Sequence, residues 1–214
     1  MRVRNVSPTG FEIQMDEWDY LDGYHVVETI DYLAVLPGSH VLGGLNVEAR
    51  SIELDHNWQT LNWEQEFTQA PVVFSQITSV NEASAAITRM RAITNSRVQI
   101  RIDEEEKNDR RHASEQVHMI AIQPGKGVIG DKTVLVGKTG NTVAHNWTPV
   151  VFSEPVLSPL LIGGMQTTNG GDPATIRYRN LQSTQVEMHV DEEQSANTEV
   201  ADVNEAVGWL LIAR

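Results

Sequence analysis

The side chains best suited to chemistry are concentrated in one short loop between two apolar stretches. They are Trp18, Asp19, Tyr20, Asp22, Tyr24 and His25. Aromatic rings can stack on the C–H face of a pyranose, and carboxylates can accept hydrogen bonds from its hydroxyl groups. The loop therefore predicts a carbohydrate-binding site. The alternative is that its rings only pack, as Trp and Tyr often do in β proteins.

Three acidic clusters recur along the chain and offer oxygen ligands for a cation. The candidate ligands are Asp16, Glu17, Asp103, Glu104, Asp191 and Glu192. Hard oxygen ligands suit Ca²⁺, which is the first cofactor to expect here. No EF-hand spacing and no Gly-Asp nonapeptide repeat accompanies the clusters, so the alternative is a set of solvated charges.

A second spacing places a histidine, or an aspartate, three residues before a glutamate. The pairs are His25 and Glu28, His112 and Glu115, and Asp202 and Glu205. Residues three apart in a strand point to opposite faces, so within a strand a pair cannot hold one metal ion. A junction between loop and strand relaxes that limit, and we expect a structural hydrogen bond that closes the loop. His112 stands where His25 stands in the first loop, so it joins the candidate carbohydrate residues.

Arginines alternate on what should be the polar face of one strand. The pairs are Arg2 and Arg4, Arg89 and Arg91, and Arg177 and Arg179. Because acidic residues such as Glu12 and Glu187 lie on the next strand, the pattern predicts cross-strand ion pairs. A role in binding an anionic sugar is the alternative.

Motifs of catalysis are missing from the sequence. It contains no Gly-x-Ser-x-Gly elbow, no HExxH and no phosphate loop. Adjacent acids such as Asp16 and Glu17 diverge on a strand, which defeats the facing geometry of glycoside hydrolysis. We therefore expect a protein that is not an enzyme.

All these features recur because the chain repeats itself at a period of about 87 residues. Sixteen-residue segments beginning at Arg2, Arg89 and Arg177 align without a gap, and segments beginning at Glu28, Glu115 and Glu205 follow them. The second and third copies also share front segments, in which His-Asn-Trp and a later proline with three apolar residues recur. These front segments are His56–Trp58 with Pro71–Phe74, and His145–Trp147 with Pro159–Ile162.

Strict alternation of apolar and polar residues predicts an all-β fold. Phe11, Val98 and Val186 should be buried at equivalent positions, and Ile30, Tyr32 and Ala34 should lie on one face of a closing strand. Each module offers about six short strands, enough for a small antiparallel sandwich. Tandem sandwiches are therefore expected, as a half module in residues 1–38 and complete modules in 43–125 and 132–214. The glycine-containing stretches 38–44 and 125–140 should be linkers, although 133–136 could instead form a first strand.

The strands of the first copy resemble the second half of an H-type lectin domain. The likeness lies in Gly10–Asp16, in the turn Trp18–Tyr20 and in the closing segment Ile30–Val35, and Asn57-Trp58 with Pro71–Val73 is similar to that family's opening strands. The resemblance implies six-stranded sandwiches, trimers, and recognition of galactose-type sugars near subunit contacts. Trp18 becomes Glu105 and Glu193 in the later copies, which departs from the pattern. The modular style also resembles repeat domains of very large secreted bacterial proteins.

Charge and composition limit the partners. The net charge is −13 with 40% hydrophobic residues and no cysteine, so nucleic acid, disulfides and thiolate metal sites are excluded. No apolar run reaches membrane-spanning length, and we expect no membrane insertion. Glycans or a cell-surface polysaccharide are the expected partners of an extracellular adhesion module. A structural subunit of an oligomer, fibre or filament is the alternative.

The first copy lacks the front segments of the other two. Its strands would expose an apolar face and unpaired edges to water, which soluble proteins avoid. A neighbouring module, another chain or upstream sequence must supply the cover, and without upstream sequence residues 2–36 should mediate self-association.

Overall fold

The computed structural model describes residues 1–198 and 203–214, and these residues form an all-β protein with tandem antiparallel sandwiches. No helix occurs among them, and so none that could span a membrane. The half-module (residues 1–37) contributes β1 (Arg2–Ser7) and β2 (Gly10–Gln14). The second module (residues 38–124) contributes β3 (Gly38–Leu42), β4 (Leu45–Leu54), β5 (Gln59–Asn62), β6 (Val72–Ile77), β7 (Ala86–Arg91), β8 (Arg97–Glu104) and β9 (Glu115–Ile122). The third module (residues 125–214) contributes β10 (Gly125–Ile129), β11 (Lys132–Lys138), β12 (Thr148–Val151), β13 (Pro159–Met165), β14 (Ala174–Arg179), β15 (Gln185–Glu192) and β16 (Val207–Ala213).

Each complete module is a sandwich of one four-stranded and one three-stranded sheet. In the second module the strand orders are β3-β4-β9-β6 and β5-β8-β7, and in the third they are β10-β11-β16-β13 and β12-β15-β14. Seven strands thus replace the six that we expected. The additional strands, β3 and β10, lie in the stretches predicted to be linkers, and that prediction was wrong. Gly43, Gly44 and Gly130 adopt positive φ and so allow the tight turns by which β3 pairs with β4 and β10 with β11. The alternative of a strand at residues 133–136 is confirmed within β11.

The alternation of the strands is confirmed by two internal cores. Val98, Ile100 and Ile102 of β8 have no exposed surface and face Val117 and other apolar residues of the opposite sheet. The equivalent residues of β15 are Val186, Met188 and Val190, which are also buried. Each complete module therefore has a hydrophobic core of its own between its two sheets.

The half-module departs from this pattern. Phe11 is only partly buried and Ile13 is 39% exposed, so the expected burial of Phe11 to the level of Val98 and Val186 was wrong. The predicted closing strand also does not form, because residues 15–37 contain no strand. The cause is the position of that strand. Its equivalents β9 and β16 are central, each paired on both sides, and the half-module has no flanking strands to receive its backbone hydrogen bonds.

A third core lies between the modules and joins them. The outer face of the sheet β3-β4-β9-β6 packs against the outer face of the sheet β10-β11-β16-β13. Its buried residues are Leu45, Val47, Val72, Phe74, Ile122, Val134, Val136 and Leu210. Both large sheets are thus buried on both faces, which explains why β16 has no polar side chain and why the second half of β9 is apolar throughout. We call this cluster the shared core.

Equivalent residues of all three copies meet in the shared core. Leu33 of the half-module corresponds to Ile120 and Leu210, and all three pack there. Val35 corresponds to Ile122 and Ile212, and these three pack there as well. This arrangement places one closing segment from each copy around the same centre.

Contacts between the ends of the chain close the arrangement. Arg214 in the third module pairs with Asp31 of the half-module at 2.8 Å, and the backbone N–H of Gln194 donates to the hydroxyl of Tyr20 at 3.3 Å. The half-module touches the second module, the second touches the third, and the third returns to the half-module. The three copies therefore form a closed ring within one chain.

Substitution of two paired glycines tests the shared core. A Cβ at Gly208 would lie 2.8 Å from Cδ of Gln166 and would also collide with Val72 of the second module, whereas a Cβ at Gly164 would meet Phe74 at an ordinary 3.6 Å. We expect Gly208→Ala to lower the free energy of unfolding by about 1–3 kcal/mol through overpacking. Gly164→Ala, on the neighbouring strand, should change it little. Equal effects of the two substitutions in chemical denaturation would contradict the packing.

Candidate functional site

Half of the Trp18–His25 loop is used in packing between copies. The backbone N–H of Tyr20 donates to Oε1 of Glu105 at 3.3 Å, and the carboxylate of Asp19 accepts from the N–H of Ala85 at 3.2 Å. The hydroxyl of Tyr20 takes the bond from Gln194 described above. Trp18 is partly buried at this point. The first three residues of the loop therefore lie against the ends of both complete modules.

The remainder of the loop extends into solvent. Asp22 accepts a hydrogen bond from the N–H of Tyr24 at 2.9 Å, and the ring of Tyr24 is 86% exposed. His25 contacts the carbonyl of Val26 at 2.9 Å through Nδ1. Asp22 and Tyr24 are exposed and His25 is partly buried, and none of the three contacts another copy through the hydrogen bonds described, so the structure divides the predicted carbohydrate loop in two.

His112 does not join that loop, and its role in a carbohydrate site stays a prediction. Its side chain is buried, with Nδ1 at 2.6 Å from Oε1 of Glu104 and Nε2 at 3.4 Å from Oε1 of Glu115. Because His112 precedes β9 in a loop, it can meet Glu115 in a way that two residues of one strand cannot. The expected hydrogen bond that closes the loop is made by His112 with Glu104, and Glu115 binds a second loop. Glu115 accepts from the N–H groups of Asn81 and Glu82 at 2.7 and 3.0 Å. Asp202 of the third pair lies outside the described residues.

One group of side chains in the described part of the chain could hold a metal ion. Ligand atoms of Glu82, Glu104 and His112 lie within 4.8 Å of one another, and we call this group the His112 cluster. One imidazole nitrogen with carboxylates is a donor set of Zn²⁺ or Mn²⁺ more than of Ca²⁺. Burial raises the pKa of Glu104. Of the predicted Ca²⁺ ligands, Glu104 belongs to this group; Asp16, Glu17, Asp103, Asp191 and Glu192 do not.

The two later acidic clusters each contribute a buried glutamate, Glu105 or Glu193, to a joint between copies. Glu193 has no exposed surface, and it accepts from the N–H of Glu106 at 2.8 Å and from the N–H of Ser195. Glu105, equally buried, holds Tyr20 in the same way. Each glutamate thus accepts a backbone hydrogen bond from the preceding copy. Trp18 occupies their position in the half-module, where the hydroxyl of Tyr20 meets Gln194. We call the contacts of Glu105 with Tyr20, of Glu193 with Glu106 and of Tyr20 with Gln194 the tip joints.

Glu106 connects the second and third modules at a tip joint. A hydrogen bond with the carboxyl group of Asp172, together with burial, raises the pKa of Glu106 to about 6. Asn197 donates to the same carboxylate at 3.0 Å, and Arg110 does so at 2.5 Å. Two acidic side chains from different modules are therefore hydrogen-bonded to each other at this joint.

Two of the first arginines, Arg2 and Arg89, form a second kind of contact, which we call the arginine joint. The guanidinium of Arg2 donates to the carbonyls of residues 82–84. Arg89 is 1% exposed and donates to the carbonyls of Gly170 and Asp172 in the next module. Arg4 and Arg179 form the expected cross-strand ion pairs, such as Arg4 with Glu12 at 2.7 Å, whereas Arg91 donates to the side-chain oxygen of Gln99. The prediction of cross-strand ion pairs is confirmed for Arg4 and Arg179. The sequence did not predict the arginine joint.

Sequence reasoning also missed a surface that recurs on the small sheets. The guanidinium of Arg91 lies 4.1 Å from the ring centroid of Trp58, and that of Arg179 lies 4.2 Å from that of Trp147. Both tryptophans are partly exposed. The repeated His-Asn-Trp segment was the available signal, and it served only to align the copies. We call these two places the tryptophan surfaces.

Comparison with known proteins gives one informative likeness. The chain is 29% identical over 216 residues to halomucin of Haloquadratum walsbyi, a match that covers 98% of this chain and 2% of halomucin. The chain thus spans a very small part of the length of that relative. No protein-family model and no solved structure matches the chain. The likeness to H-type lectins therefore remains a hypothesis drawn from the strand pattern.

The raised pKa of Glu106 predicts a pH dependence of stability. Since the pKa of Glu106 is raised from 4.5 to about 6 in the folded state, folding takes up a proton between these values, and this group stabilises the fold less as pH rises through 6. Glu106→Gln mimics the protonated acid. We expect this variant to be more stable than the parent protein at pH 7.5, with the difference shrinking toward pH 5, in thermal denaturation.

Glu12→Gln is the matched control. Hydrogen bonds from Asn5 and Arg4 lower the pKa of Glu12, so this variant should not gain stability over the parent at pH 7.5. A Glu106→Gln variant that is less stable than the parent at both pH values would show that the charged form is favoured at this joint.

Proposed function

We propose that the chain is a non-catalytic structural unit of a long extracellular repeat protein, in which the copies act as one rigid body. The observation that carries this proposal is the burial of charged side chains across the boundaries between copies. Arg89 and Glu193 are both almost fully buried, yet their partners belong to another copy. Separation of the modules would leave these groups without their hydrogen bonds.

The energetics of such joints support a scaffold. A buried charge that loses its partner costs roughly 3–5 kcal/mol. The shared core adds the removal of apolar surface from water between the same modules. A flexible string of modules would keep its charged groups near the linkers exposed, and this chain does the opposite.

The same contacts argue against catalysis. The carboxylates of Glu105, Glu115 and Glu193 accept backbone hydrogen bonds from neighbouring segments. Carboxylates held in this way have few lone pairs left for a substrate. The His112 cluster is buried, which limits access to it.

Location outside the cell follows from charge and from the relative. A net charge of −13 keeps the molecule soluble through surface repulsion, which added salt screens. The relative carries the name of a mucin. Both are in keeping with a secreted or surface-attached protein in a salty medium.

Calorimetry tests the rigid body. We expect the chain to unfold in one cooperative transition although it contains two internal cores, because the joints couple them. Arg89→Ala should separate this transition into two or lower its midpoint by several degrees. Arg177→Ala is the control at the equivalent position of the third module, where the side chain is 55% exposed, and it should change little. Two independent transitions in the parent protein would contradict the proposal.

Carbohydrate binding is a second candidate function, and the tryptophan surfaces favour it. Partly exposed Trp58 and Trp147 each stand beside an arginine, on the polar face of a three-stranded sheet. An aromatic face with a nearby guanidinium can hold a pyranose and an acidic substituent. Exposed Tyr24 offers a further ring in the first loop.

A glycan array, with and without Ca²⁺, tests this second function. For a glycan that binds the parent chain, Trp58→Ala and Trp147→Ala should each weaken binding about tenfold, which corresponds to the ~1.4 kcal/mol typical of a lost stacking contact. Trp18→Ala should weaken it less, because Trp18 lies at a joint. The opposite order would return the site to the first loop, and binding that requires Ca²⁺ would identify an ion-dependent site.

A further inference from the structure

The arginine joint is built twice within the chain from equivalent parts. In the second module, Glu115 holds the loop 79–84 by accepting from the N–H groups of Asn81 and Glu82, and Arg2 donates to carbonyls of that loop. In the third module, Glu205 accepts from the N–H groups of Asn169 and Gly170 at 2.7 and 3.0 Å. Arg89 then donates to carbonyls of the loop 167–172. Each loop thus receives the arginine of the preceding copy.

The arginine of the third module is prepared for the same contact. Nε of Arg177 lies 2.6 Å from Asp191, as the equivalent atom of Arg2 pairs with Asp16. Its side chain is 55% exposed, whereas that of Arg2 is 20% exposed and that of Arg89 is 1% exposed. In the part of the chain that the structure describes, no loop carbonyl meets Arg177. The third module therefore supplies the arginine of a third arginine joint, without the loop that would accept its hydrogen bonds.

The loop that would complete this joint is expected beside the half-module. Residues 28–36 form no ladder, and Tyr32 is 64% exposed although its equivalents Met119 and Trp209 are 1% and 6% exposed. The pair between Arg214 and Asp31 places this segment next to the third module. Because the third module lies next to the half-module in the ring, Arg177 and the uncovered face of residues 28–36 border the same gap.

We propose that this gap binds a polypeptide segment with the pattern of β3–β6, which is the front half of a further module of this repeat. Two of its strands would flank residues 28–36 as β4 and β6 flank β9, and one would pair with β2 as β5 pairs with β8. Its loop between the fourth strand and the half-module would present carbonyls to Arg177. Backbone ladders, apolar cover for Tyr32 and Ile13, and a charged anchor all come from one occupant.

Two features of the chain favour this occupant over a second copy of the chain. The proposed interface has the arrangement of the two arginine joints within the chain, and its geometry can be read from them. The complete modules use their own front strands in their own sheets, so a second copy has none to lend. The matched segment of halomucin, 2% of that protein, shows that such modules occur within much longer chains.

The test extends the full chain at its N-terminus by a copy of residues 38–87, which are the residues that precede the equivalent of Met1. Hydrogen exchange at residues 28–36 should slow on the order of a hundredfold relative to the parent chain, because these amides enter a ladder. Arg177→Ala should lower the melting temperature of the extended chain by several degrees and leave the parent unchanged. Arg4→Ala, an exposed arginine of an ion pair, is the control and should have a small effect in both.

A second extended chain carries a copy of residues 125–175 instead, so that the test does not depend on the folding of the first extension alone. The proposal is overturned if residues 28–36 exchange rapidly in both extended chains, or if Arg177→Ala acts equally in extended and parent chains. It is also overturned if the parent chain alone sediments as a dimer with residues 28–36 protected, since a second copy would then fill the gap. Each of these results leaves the single unfolding transition of the parent chain, and so the proposed scaffold role, intact.

Discussion

The structure depends on one constraint, which is that the four-stranded sheets are apolar on both faces. A sheet with one apolar face can be completed by a single partner sheet, and each complete module has that partner. The second apolar face of the sheet β3-β4-β9-β6 must also leave water, and it does so against the equivalent sheet of the third module. Because the closing segment of the half-module carries the same pattern, Leu33 and Val35 enter the same core. The ring of three copies is thus a consequence of burying three equivalent faces at once.

The charged joints follow from this arrangement. Once the faces are packed, the strand ends of successive copies come together, and their polar groups leave water. A buried glutamate or arginine is stable only with hydrogen-bond partners. Glu193 accepts from one backbone N–H group of the preceding copy, and Arg89 donates to carbonyls of the following one. The joints therefore fix the relative position of copies that the apolar faces bring together, and the half-module shows what is left when one set of partners is missing.

The sequence predicted the fold class, the repeat and the facing of strands such as β8 and β15, because period-two alternation and internal similarity are local signals. It did not predict the roles of Arg89 and Glu105. A charged residue in a repeat has the same spacing whether it is solvated or buried between modules, and only the relative position of the copies decides which. The Trp18–Tyr20 segment was interpreted as a carbohydrate loop for the same reason. The closing strand at residues 28–36 failed because its pattern is that of a central strand, and a central strand requires neighbours. The resemblance to H-type lectins implied trimers, and three copies do surround one centre, within a single chain rather than among three.

The distance between the first loop and the tip of the third module tests the closed ring most directly. The chain contains no cysteine, so Leu21→Cys and Ala196→Cys would place two spin labels at exposed sites next to the contact between Tyr20 and Gln194. Electron paramagnetic resonance should give a single short distance in the monomeric protein, because the half-module and the third module touch. A long or broad distribution of distances, as in modules arranged along an open string, would contradict the ring.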